Sequence, residues 1–222
     1  QGHPCLQHTP GIDMSSGSLG QGVSAAVGMA LSAKISNDSY RVYTLLGDGE
    51  IQEGQVWEAA MLAGHRKLDN LIVIVDNNGL QIDGNIDDIC SPYPIDEKFR
   101  AFNFHVINVE DGNDFDALRT AFKEAREIQG MPTAIILKTV KGKGVSFMEN
   151  QAGWHGKAPN DEEYKIEFRS QCGVLEILFG IRRFWWLPQD PHPALQYCHA
   201  LFPVLPMCFR NPLWLQFSLL PA

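Results

Sequence analysis

The phrase Gly47-Asp48-Gly49, followed thirty residues later by Asn77-Asn78, constrains this chain more than any other feature. Arg41 to Leu46 is a short apolar run that ends directly in the first phrase, and Asn70 to Val75 is a second that ends just before the other. Between them Val56, Ala59, Ala60 and Ala63 recur at helical spacing, which predicts a helix over Gly54 to Lys67 flanked by two strands. An aspartate and an asparagine therefore follow the carboxyl ends of two strands, where open α/β sheets bind ligands. A carboxylate, an amide oxygen and nearby backbone carbonyls suit a hard divalent cation that also holds phosphate oxygens, the Mg²⁺ pattern. Glycine on both sides of Asp48 lets backbone approach such a group closely. Local alternatives exist: Asp48 as a turn aspartate capping the next helix, Asn77 and Asn78 as turn residues that accept positive φ.

Gly20 to Ile35 reads as an alanine-rich helix, Phe104 to Val109 as a third strand and Thr133 to Thr139 as a fourth. Asp114 to Ile128 reads as a helix capped by Asp114 or Asn113. Strands alternating with helices of this length predict an α/β fold over residues 1–165, a mostly parallel sheet with helices on both faces. A net charge of −8, with only a local basic spot at Lys138, Lys141 and Lys143, excludes a dedicated nucleic-acid binder. No uninterrupted apolar window is long enough to span a bilayer. Five scattered cysteines with no Cys-x-x-Cys pair fit reduced thiols better than a disulfide framework, so a cytoplasmic location is expected.

The character changes near Cys172. The last 51 residues hold seven of the thirteen prolines, three of the five tryptophans and only five charged side chains. Prolines interrupt every candidate helix, and the apolar residues show no period. Residues 166–222 are therefore left unassigned, with non-native sequence such as a shifted reading frame as the expectation and a family-specific appendage as the alternative.

Beyond the strand-end pair, a series of ordered phrases covers roughly three quarters of the chain. They are GHP at Gly2 to Pro4, TPGIDMSSGSLGQGVSAAVGMALSAK at Thr9 to Lys34, and LLGDGEIQEGQVWEAAMLAGHRKLDNLIVIVDNNGLQIDG at Leu45 to Gly84. TVKGKGVSFMEN at Thr139 to Asn150 and WHG at Trp154 to Gly156 complete it. Together they closely resemble the diphosphate-binding domain of transketolase, a thiamine-diphosphate enzyme. The resemblance implies that Asp48 and Asn78 ligate Mg²⁺ (or Ca²⁺ or Mn²⁺) through side-chain oxygens and Leu80 through its carbonyl. Gly49 would lie beside the phosphates, and Gly17 and Leu19 would contact the aminopyrimidine edge through backbone groups. The alternative is that the loop glycines only permit close loop and helix packing.

In the same resemblance His3 and His155 line the substrate funnel, where a histidine can move protons near neutral pH. Lys141 and Lys143 either attract a sugar phosphate or belong to a solvated loop. Glu53, with Glu58, matches carboxylates at the subunit contact near the partner's catalytic glutamate, though acids in a first helical turn need no such role. The implied activity is Mg-thiamine-diphosphate-dependent transfer of a two-carbon ketol unit between sugar phosphates, as in the pentose phosphate pathway. It requires a pyrimidine-binding domain, which this chain lacks, so the resemblance implies a carboxy-terminal partner subunit or a longer gene product, and a hetero-oligomer. The chain would begin inside the domain. The Gly54 to Lys67 helix, with its small face of Ala59, Ala60 and Ala63, and the SGSLGQG loop are the expected partner contacts. The competing readings are a non-catalytic thiamine-diphosphate binder or scaffold, deoxyxylulose-phosphate synthase, and keto-acid dehydrogenase α subunits. QEGQVWEAA, KLDN and QIDG favour transketolase over both enzyme alternatives.

Overall fold

The computed structural model describes residues 2–166. The expectations for the tail lie outside them, apart from Ile166. Four strands form one sheet: β1 (Val42–Gly47), β2 (Leu71–Asn77), β5 (His105–Val109) and β6 (Thr133–Lys138), in the order β1-β2-β6-β5. Every pairing is parallel, with Gly47 opposite Asp76 and Asn77 opposite Lys138. β3 (Leu80–Gln81) and β4 (Gly84–Asn85) make a small antiparallel hairpin just after β2.

Helices cover both faces. α1 (Gln21–Ser36), α2 (Gly54–His65) and α4 (Ile95–Ala101) pack on the face that presents Val42, Leu46, Val73, Val75, Ala134 and Ile136. α5 (Phe115–Glu127) packs through Ala121 and Ala125 on the opposite face, against Ile72, Ile74, Ile107, Ile135 and Leu137. Burial on both sides is why NLIVIV and TAIILK read as unbroken apolar runs rather than alternating ones. Asp114 caps α5 by accepting the Asp116 N–H at 2.9 Å, while the Asn113 side chain accepts the N–H of Val140 at 3.0 Å.

The strand boundaries fall within two residues of those expected. Two features differ. The segment between Gly79 and Phe104 carries the hairpin, the short helix α3 (Ile86–Cys90) and α4, which have too few residues to display a period. Ala59, Ala60 and Ala63 do not form an outer face of α2. All three are buried in the core shared with α1 and the sheet, and the exposed side of the helix instead carries Met61, Leu62 and Glu58. No helix among the described residues is long and apolar enough to cross a membrane.

Candidate functional site

Three neighbouring strands, β1, β2 and β6, end at one edge of the sheet, and each leads into a polar group. Asp48 follows β1, Asn78 follows β2, and Lys141 lies three residues beyond β6. Asp48 is only 1% exposed. Its Oδ1 accepts the N–H of Gly49 at 2.8 Å and its Oδ2 the N–H of Gly79 at 2.6 Å, so backbone on both sides aims the carboxylate. Burial pushes its pKa up to about 6, the bonds from Gly79 and Gly49 pull it down, and the charge of Asp76 pushes it up again.

The two asparagines face different partners. Asn78 Oδ1 accepts the Leu80 N–H at 3.0 Å, closing a tight turn that holds its amide at the strand end. Asn77 Oδ1 accepts the Tyr93 hydroxyl at 2.7 Å, a structural bond to the segment that leads into α4. Leu80 opens the hairpin opposite Asn85. At Gly49 a Cβ would stand 3.1 Å from Gln81 Cβ, so the backbone lies close under the hairpin. Among the described residues no three His, Cys, Asp or Glu gather as a metal cage. A cation here would need amide and carbonyl oxygens and the ligand's own phosphates, as hard Mg²⁺ prefers.

Lys141 settles differently from its loop neighbour. It is 6% exposed, and its Nζ stands 3.5 Å from His155 Nδ1. Burial lowers its pKa, while the charges of Asp76 and Asp48 act to raise it. A solvated loop position is therefore excluded for Lys141. Lys143, by contrast, is exposed and faces Glu149 at 3.7 Å. Thr139, one residue past β6, donates its hydroxyl to Asp76 Oδ1. Burial, and then the Lys141 charge, lower the pKa of His155.

His3, Gly17, Leu19 and His155 meet around a cavity of about 310 Å³. The His3 ring lies so close to Gly17 that a Cβ there would stand 2.7 Å from His3 Cδ2. Glu50 lines the same cavity two residues from Asp48, and His155 links it to Lys141, so cavity and strand-end cluster adjoin. Glu53 is set apart: it is exposed at the start of α2, beside Gly20, and its side chain caps no N–H. Sequence reasoning missed Glu50 altogether. Its only signal is its place directly after Gly-Asp-Gly.

The family model for the transketolase thiamine diphosphate binding domain matches residues 1–183. The chain is 47% identical over 163 residues to the 6-deoxy-6-sulfo-D-fructose transketolase subunit SqwG of Clostridium sp. (strain MSTE9), covering 73% of this chain and 59% of that protein. It is 42% identical over 167 residues to an apulose-4-phosphate transketolase subunit of Actinobacillus succinogenes, covering 74% and 59%. Among solved structures, the transketolase of Pichia stipitis in complex with sedoheptulose-7-phosphate matches with a TM-score of 0.70 at 31% identity, over 77% of this chain and 26% of that one. The chain thus spans about three fifths of the length of these curated relatives.

Proposed function

The chain belongs to the transketolase thiamine diphosphate-binding domain family, and on that premise we propose that it is one subunit of a two-chain transketolase. Its reaction is the transfer of a two-carbon ketol unit from a ketose phosphate to an aldose phosphate, with Mg²⁺ and thiamine diphosphate. The relatives named as transketolase subunits support a split enzyme. The observation that carries the reading is Asp48, a carboxylate buried at a strand end with both oxygens aimed by backbone N–H groups. A dication beside it would offset the desolvation that now raises its pKa.

In this reading Asp48, Asn78 and the Leu80 carbonyl hold Mg²⁺, and Gly49 admits the diphosphate. Lys141 supplies positive charge beside that group. Gly17 and Leu19 meet the aminopyrimidine, and His3 and His155 hydrogen-bond the sugar and move protons in the cavity. Bound thiamine diphosphate supplies the carbon nucleophile for ketol transfer. Glu53 and the exposed side of α2, with Met61 and Leu62, face the pyrimidine-binding partner.

Mixing the chain with a candidate pyrimidine-binding partner chain and assaying ketol transfer tests this. Activity is expected only in the mixture. An active, monodisperse monomer would overturn the two-chain reading.

A further inference from the structure

The Glu50 carboxylate joins two backbone segments far apart in sequence. Oε1 accepts the N–H of Gly20 at 2.9 Å, and Oε2 accepts the N–H of Gly47 at 3.1 Å. Gly20 is buried, has a φ of 76° and begins α1 without a side-chain cap. It closes the loop that carries Gly17 and Leu19. Gly47 is the last residue of β1, immediately before Asp48. Backbone bonds such as Ser16 to Pro4 and Gln21 to Ser18 hold that loop to its own neighbourhood; Glu50 ties it to the sheet.

We propose that Glu50 is a positioning residue that sets the spacing between the loop facing the aminopyrimidine and the turn facing the diphosphate. This rests on the thiamine-diphosphate reading above. Both groups it holds are N–H donors, so both of its oxygens must accept. A carboxylate does this with one rigid plane, whereas a glutamine of the same shape offers one acceptor and one donor. In Glu50→Gln, an N–H would therefore face an N–H in a part-buried site, and the loop would detach from the turn. A cofactor gripped at both ends would lose the match between its two contacts. A ligand that reaches only the diphosphate end would not.

The test uses the full chain mixed with its pyrimidine-binding partner chain and Mg²⁺, and compares thiamine diphosphate with inorganic diphosphate by calorimetry, while amide hydrogen exchange follows Gly20. For Glu50→Gln we expect thiamine-diphosphate affinity to fall about tenfold, inorganic diphosphate to bind as in wild type, and Gly20 to exchange faster. Unchanged affinity for both ligands overturns the proposal and leaves the cofactor reading standing. Equal weakening of both assigns Glu50 to the diphosphate end and also overturns it. A wild-type complex that binds neither ligand overturns the cofactor reading itself. Should Glu50→Gln fail to fold, Glu50→Asp makes the same comparison, because it keeps both acceptors and is one methylene short.

Discussion

The buried ammonium of Lys141 stands 3.5 Å from Nδ1 of His155, fourteen residues along the chain. Asp76 and Asp48 favour the charge on the lysine, and that charge in turn disfavours a second one on the imidazole. His155 therefore faces the cavity as a neutral ring near pH 7, able to donate one hydrogen bond and accept another.

Replacing Lys141 with Met keeps much of the apolar stem and removes the charge. The titration midpoint of His155 should then rise, with burial left as the main influence holding it down. An NMR titration of the imidazole protons reads this directly. An unchanged midpoint would mean that the ammonium is not felt at the ring.

Asp48 makes the metal-free chain sensitive to pH. Its folded pKa, about 6, lies above the ordinary carboxylate value of 3.8. Between those values the folded state binds a proton that the unfolded state has released, so stability falls as pH rises through the window. At full ionisation the cost is about 3 kcal/mol. Urea unfolding at pH 5 and pH 7.5 should show the upper part of this loss, about 1.4 kcal/mol, in wild type, and Asp48→Asn should shrink the gap between the two pH values. Mg²⁺ with diphosphate should restore stability at pH 7.5 in wild type and not in the variant.

His3 is expected to act on substrate. In the reconstituted enzyme, His3→Ala should lower turnover or raise KM while thiamine-diphosphate affinity stays within about twofold. Calorimetry alongside steady-state kinetics separates the two effects. Loss of cofactor binding would move His3 into the cofactor site, through its contact with Gly17.

Gly64 tests the packing that carries the site. A Cβ there would stand 1.9 Å from the carbonyl oxygen of Phe102, which is backbone and cannot swing aside. Gly64→Ala should therefore force α2 away from the end of α4 and destabilise the chain by about 3 kcal/mol. Denaturant titration measures this. A variant as stable as wild type would mean that the two elements separate without cost.

The four main strands and the three longer helices were legible because their apolar residues repeat over enough positions to show a period. The strand-end placement of Asp48 and Asn78 was legible because each follows closely on an apolar run. The burial of Lys141 was not. A lysine between Val140 and Gly142 suits a phosphate contact and a solvated loop alike, and its burial depends on the chain folding back, with Asn150 donating its N–H to the Lys141 carbonyl at 2.9 Å. Ala59, Ala60 and Ala63 misled for a related reason: small residues suit any close contact, and spacing does not say whether the neighbour is α1 or another chain. Glu50 escaped notice because its partner Gly20 lies thirty residues away.

Gly47 stands opposite Asp76 in the ladder, which fixes where Asp48 leaves β1 relative to Asn78 beyond β2. Side chains in a strand alternate faces, so pairing β1 one rung out of step would exchange the faces of Val42 and Tyr43 and shift the Asp48 carboxylate away from the Gly79 N–H. Any ligand that needs both strand ends at their native offset thus discriminates against misregistered chains. Binding would act as a proofreading step on the sheet, favouring the one alignment in which the donors converge.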